Sequence, residues 1–454
     1  MPNMDAAKNG IALLLPRPAY QCAMVASACM IVCAAWPASA VLSAIIAFVA
    51  FCAVLFIYKL SSFTNLTFLF LSVTVIIVLS TSILWSALRS IANLSPGENS
   101  DTRDWAIQFV ALAIDAMVIG ACLVTQGHSV TCKPERAWSS QVRCPWIYLT
   151  AAFVPLLLNL ILYYSSLRGL EYVAIYISSL GPQKYILFLV AVTHGAFIRL
   201  FGGWTYLGRK SRLKLFAAVC LFLYVYIFLM PMRANLFMFG MYSLYFLGWR
   251  VRWRIKVTLL AGCLILFSWM AIHRGTDDDP LREMGFVQAG VSAMSFGAPM
   301  VEMVPWAYSE ERHQGISYGA TSLLELVTPT EGPAYRYVKD TDPALFENGG
   351  GLGFFYIAEF VLDFGYWGGL LAVCILGMVL QQISITRSIL VRSTVLPVLL
   401  GNSFLLMRND FVTTLKASLY IIVSCVILDR MTHFALGMRR LIILEKLSAS
   451  TKQP

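Results

Sequence analysis

The apolar residues of this chain do not alternate with polar ones. They come in long, nearly unbroken runs near positions 19–36, 39–58, 66–88, 104–125, 145–166, 185–203, 214–231, 235–250, 256–272, 355–383, 394–407 and 413–435. Runs of about 17–25 apolar residues match a helix that crosses a ~30 Å hydrocarbon core. The pattern predicts an all-α fold, a polytopic integral membrane bundle of about 12 transmembrane helices. The alternating strands of about ten residues that a membrane barrel needs are absent. The polar breaks are short except for residues 273–354. That segment, about 80 residues long, far exceeds the ~15 residues beyond which structureless connections become uncommon. The expectation is one polytopic membrane domain over residues 1–454, with 273–354 as a large loop within it. Part of this loop, Phe286 to Tyr308, is apolar enough to lie in the interface or re-enter the bilayer. Pro16 and Pro18 precede the first run, Tyr20 to Trp36, which leads at once into a second, so a membrane hairpin is expected rather than a cleaved signal.

Composition supports this reading. The 454 residues are 59% hydrophobic and 13% charged, against about 25% charged in a soluble domain. The eleven cysteines are scattered, mostly inside apolar runs, without a CxxC or Cys/His cluster, so no metal site is expected. Charge fixes an expected orientation through the positive-inside rule. The clusters Arg209–Lys214 and Arg250–Lys256, together with Arg387, Arg392, Arg430, Arg439 and Arg440, fall on one side of a twelve-span topology. That side, with both termini, is expected to be the cytoplasm. Cys132 and Cys144 share a loop there, where a disulfide is not expected. Basic loops beside anionic lipid account for the net charge of +10 without a nucleic-acid partner. The 273–354 loop, rich in acids from Asp277 to Glu347, then lies outside.

Candidate chemistry collects on that outer side. Arg233 and Arg408 sit in very short turns, Arg274 ends the ninth run, and Arg282, Arg312 and Arg336 lie in the long loop. Outer turns ordinarily carry few positive charges. The planar guanidinium fork binds phosphate or carboxylate through two parallel bonds, so clustered outer arginines suit an interfacial anion site. Taken singly, each is equally explained by snorkelling to headgroups or by pairing with a loop acid. The stretch NGGGLGFFYIAEFVLDFGYWGG places Gly349, Gly350 and Gly351 before an apolar run holding Glu359 and Asp363, one helical turn apart on one face. Carboxylates there need a cavity or a partner. Glu359 reads either as a general base, as a group orienting a hydroxyl, or as the structural partner of an arginine. Asp115 sits mid-run, and His194 and Arg199 lie in another run; buried ionisable residues there are site candidates by default, the structural alternative being that Asp115 pairs with His194 or Arg199. His273 and His313 are candidate bases on the outer side.

Three pieces resemble the Wzy-type polymerases of O-antigen and oligosaccharide repeat units. One is MRANLFMFGMYSLYFLG, an arginine opening a span after a short outer turn. The second is an ordered series in the long loop: HRGTDDD, then GISYGATSLLELVTPTEGPA, then GGGLGFFYIAEFVLDFGYWGG. It holds Tyr318–Gly319, Pro329, Gly349–Gly351, Glu359 and Phe364–Gly365. The third is MRNDF in the last outer turn. The likeness runs from Arg233 onward. It departs from the family's usual pattern at Asp363, where an uncharged polar residue is more common.

The resemblance implies a metal-independent membrane glycosyltransferase of the bacterial inner membrane that uses no cofactor. Such an enzyme moves the growing glycan from undecaprenyl diphosphate to a new lipid-linked repeat unit on the periplasmic face, serving O-antigen or exopolysaccharide synthesis. Glu359, Arg233, Arg274 and Arg408 would be catalytic. Arg282, Arg312, Arg336, Tyr318, Gly349, Gly350, Gly351 and Asp363 would bind substrate. Its partners would be lipid-linked oligosaccharides, membrane lipids and, as an option, a chain-length regulator. An O-antigen ligase, for which His313 leaves room, and a repeat-unit flippase are the alternatives. The lack of symmetry between the two halves speaks against the flippase.

Overall fold

The computed structural model describes residues 17–36, 39–56, 65–79, 100–124, 144–166, 184–204, 207–229, 233–247, 297–320, 333–341, 343, 354–408 and 411–450. All regular elements among them are helices. In chain order they are α1 (Arg17–Ala35), α2 (Ala40–Phe56), α3 (Leu66–Leu79), α4 (Ser100–Val124), α5 (Pro145–Ser166), α6 (Lys184–Gly202) and α7 (Arg209–Tyr224). There follow α8 (Arg233–Leu247), α9 (Gly297–Gln314), α10 (Pro333–Thr341), α11 (Tyr356–Ile385), α12 (Leu396–Arg408) and α13 (Phe411–Ser450). π-helical turns extend α7 through Val225–Leu229 and precede α12 at Val391–Val395. Eleven of the twelve predicted segments coincide with α1–α8 and α11–α13; the twelfth, 256–272, lies outside the described residues.

Six of these helices are long and apolar enough to cross a membrane: α1, α4, α5, α7 with its π turn, α11 and α13. The protein is a polytopic helical membrane protein. Side chains such as Ile31, Phe56, Ile161, Phe216, Leu371 and Phe434 are exposed on the bundle, as a lipid-facing surface requires.

The central helix is α4, most of whose apolar span is enclosed by protein. It runs parallel to α11: Trp105 and Phe109 meet Tyr366 near one end, and Met117 and Gly120 meet Gly377 and Cys374 further along. Two glycines permit this contact. A Cβ on Gly120 would run into the carbonyl oxygen of Cys374, and one on Gly377 into that of Met117. Small residues that let backbones touch are a main source of helix association in lipid, where burial of apolar surface drives little.

The alternation of helices is self-consistent. At one end, α9 packs on α11, α4 and α3, and the α11 start meets the start of α13 through Glu359. At the opposite end, Arg199 of α6 donates to Asp429 of α13 at 2.6 Å and to the Ser393 carbonyl at 2.9 Å, while Tyr148 of α5 donates to Asp429 at 3.0 Å. This multiply bonded ion pair, between a buried arginine and a partly buried aspartate, ties four segments together.

Candidate functional site

Helix α11 is not continuous. Gly365 has φ 71 and ψ −177, values outside the helical region. A Cβ on Gly369 would lie 3.3 Å from the Phe360 carbonyl oxygen. In a straight helix, residues nine apart are separated by about 13 Å along the axis. The chain therefore bends sharply at Gly365, and the small Gly368 and Gly369 let the two parts close on each other. The part from Tyr366 to Ile385, about 20 residues, is by itself long enough to span ~30 Å of hydrocarbon. Glu359 and Asp363 thus belong to a short arm that precedes the spanning part, not to a straight span as its hydrophobicity predicts. Irregular backbone at membrane depth occurs only where protein or a water-filled cavity surrounds it, and the arm is enclosed: Phe354 to Glu359 are all buried. Its first turn is fastened to α3 by the bond between Tyr356 and Thr74 hydroxyls at 3.1 Å and by the edge-on contact of Tyr356 with Phe70.

Both carboxylates are almost completely buried, Glu359 at 1% exposure and Asp363 at 2%. Each has identifiable donors. The amide of Phe411 donates to Glu359 Oε2 at 2.6 Å and that of Val412 to Oε1 at 3.3 Å. These are the first two residues of α13, whose amides have no partner within their own helix. The Phe360 ring sits 5.4 Å from the Phe411 ring beside this junction. Asp363 accepts a 2.8 Å bond from the Ser317 hydroxyl, which belongs to the segment that follows α9.

That segment docks onto the break. Ile316 and Glu311 lie against Gly365, where an added Cβ would meet Ile316 Cδ1 at 3.2 Å and Glu311 Oε1 at 3.5 Å. Gly319, with φ 78, lies against the Phe364 ring, where a Cβ would meet Cζ at 3.1 Å. The Tyr–Gly and Phe–Gly pairs of the sequence motif are therefore physical neighbours, about 46 residues apart in sequence but joined across one contact. Tyr318 itself is exposed and is the one non-glycine residue with positive φ among the described residues, at 53. Such a conformation costs of order 1–3 kcal/mol and persists only where the surroundings impose it.

The arginines frame this end. Arg408 is the exposed last residue of α12, its guanidinium carbon 6.0 Å from the Phe404 ring centroid. Arg233 opens α8. Helix α8 runs antiparallel to α12, with Tyr245 bonded to the Arg392 carbonyl, Gly401 against Met238, and Phe237 against Phe404. Continuing that register places Arg233 level with Arg408. Arg312, in the last turn of α9, lies 4.7 Å above the Tyr308 ring, which contacts Trp105 and Tyr366. Arg336 is on α10 beside Tyr337, which packs on Trp306 and Phe354 just ahead of the arm. Its buried Nε has no hydrogen-bond partner among the described residues. The apolar stretch read as interfacial or re-entrant ends in α9, which packs on α11 and α4. Arg274, Arg282, His273, Gly349, Gly350 and Gly351 lie outside the described residues. His313 is exposed at the end of α9.

The pairing given as the structural alternative for Asp115 is corrected. His194 instead meets the Tyr242 hydroxyl and the Asn235 side chain, and Arg199 meets Asp429. Asp115 is fully buried, and neither of its oxygens has a hydrogen-bond partner among the described residues. Asp429, inside the apolar run 413–435, is not among the residues the sequence singles out. Ser317 is not among them either, although its place beside Tyr318–Gly319 was a usable signal.

Residues 333–432 match the family described as O-antigen polysaccharide polymerase Wzy. The matched segment contains Arg336, the glycine run, Glu359, Asp363 and Arg408, whereas Arg233, Arg274 and Tyr318 lie before it. No curated protein and no solved structure matches the chain.

Proposed function

From a Wzy-type O-antigen polymerase segment at residues 333–432, we propose that this chain joins lipid-linked oligosaccharide repeat units at the outer face of the bacterial inner membrane. The observation that carries the reading is the match falling on the broken helix, whose arm carries Glu359 and Asp363, and on α12, whose last residue is Arg408. The growing glycan, held on undecaprenyl diphosphate, is transferred to the hydroxyl at the non-reducing end of a newly delivered unit. One glycosidic bond forms as the bond to diphosphate breaks; the diphosphate leaves with the electron pair, and the acceptor hydroxyl's proton passes to the departing diphosphate oxygen or to water. Arg408 and Arg233, level with each other at the end of α12 and the start of α8, suit the departing anion. Fixed positive donors aimed at developing charge are worth about 10²-fold or more in rate. Arg312 and Arg336 flank the same end and hold the substrate's polar parts, with Arg274 and Arg282 assigned to the same role from sequence. Asp363, with Ser317 and Tyr318, orients the sugar. Both termini are cytoplasmic, and the reaction needs neither nucleotide sugar nor metal.

Deletion of the gene tests the reading. Loss of polymerisation leaves glycans of a single repeat unit attached to the acceptor. A ligase defect would leave long lipid-linked polymer unattached, and a flippase defect would trap units on the cytoplasmic face. Either of those results would reassign the chain.

A further inference from the structure

Glu359 has a geometry that a proton-handling base does not need. Both of its oxygens receive amide hydrogens from the first turn of α13. Arg408, the last residue of α12, stands three residues before Phe411, so Glu359 holds the helix start nearest in sequence to the arginine. The arm that holds Glu359 is itself anchored, through Tyr356 to α3 and through Phe360 to Phe411. A negative charge at the N-terminus of a long helix is favoured by the helix dipole as well as by the two bonds, which is why a carboxylate tolerates 1% exposure there.

We infer that Glu359 is a positioning residue: it caps α13, fixes the start of that helix, three residues after Arg408, against the broken helix, and acts on the transfer only through Arg408. This rests on the polymerase reading and changes the assignment of one carboxylate within it. The consequences differ from those of a base. Glutamine keeps an oxygen that accepts one amide but loses the charge and the second bond, so Glu359→Gln is expected to keep a measurable rate, lowered about tenfold, the usual scale of a lost helix cap. Alanine removes both bonds and falls further. Aspartate is one methylene shorter and should rescue less than glutamine if reach to the two amides is what matters.

The experiment uses the full chain in native membranes, with lipid-linked repeat units extracted from a strain lacking it. Hydrogen exchange is measured at residues 411 and 412, and initial rates are measured across pH. In Glu359→Gln the two amides are expected to exchange faster while the shape of the pH profile stays that of the wild type. In an Arg408→Ala background, adding Glu359→Gln should lower the rate little further, because both changes act through one group. Unchanged exchange at 411 and 412 overturns the inference. So does a Glu359→Gln profile that loses one of its limbs, or a full additional loss in the Arg408→Ala background. A wild-type chain that forms no polymer would instead remove the polymerase reading, and the exchange measurement would still decide whether Glu359 holds the helix end.

Discussion

Among single residues, the two buried carboxylates of the arm have different occupations. Glu359 holds a helix end, and Asp363 holds the loop through Ser317. Arg408, the exposed last residue of α12, is the arginine proposed for the anion chemistry. Arg408→Ala is expected to reduce the product to about one repeat unit at normal protein abundance, a loss of roughly 10²-fold in rate. Lysine should restore only part of it, since it lacks the bidentate fork. Full-length polymer from Arg408→Ala would move the anion site elsewhere. The sequence showed these residues plainly, because charges in an apolar chain stand out. It did not show their partners. The donors to a carboxylate can be backbone amides about 50 residues away, as they are for Glu359, and no side-chain pattern marks a backbone amide. The same blindness applied to Asp115: spacing suggested His194 or Arg199, while the fold gave those to Tyr242 and Asp429.

For the helices, hydrophobic runs gave their order and approximate ends, since each span must satisfy its backbone bonds internally. The break in α11 was not legible. Gly365 sits in a run whose overall hydropathy reads as one span, and its backbone angles reveal that the carboxylates precede the spanning part. The resemblance was nevertheless a usable signal, because the Tyr–Gly and Phe–Gly pairs it singled out prove to be in contact. Gly365→Ala forces a side chain into positive φ and against Ile316, and should destabilise the arm by about 1–2 kcal/mol, with a matching loss of polymer length. Protease sensitivity of the 315–319 segment measures this, and wild-type resistance would show the docking to be dispensable. At the helix interface, Gly120→Val or Gly377→Val places atoms where a carbonyl already lies. Both should lower membrane abundance sharply, read by immunoblot, and normal abundance would mean that α4 and α11 do not touch there.

Across the whole molecule, the helices sort their polar groups to two ends: Arg199, Asp429 and Ser393 at one, and Glu359, Asp363, Ser317 and Arg408 at the other. By the positive-inside rule, the first end is the one expected to face the cytoplasm. A reporter that works only after export should be active when fused near Asp340 and silent near Ser211; the reverse pattern would turn the site inward. The most direct test supplies the purified full-length chain, in lipid bilayers, with lipid-linked single repeat units and no nucleotide sugar. The account predicts a ladder of lipid-linked glycans growing by whole repeat units, insensitive to chelators and lost in Arg408→Ala. Repeat units that stay single with the wild-type chain in the same bilayers would contradict it.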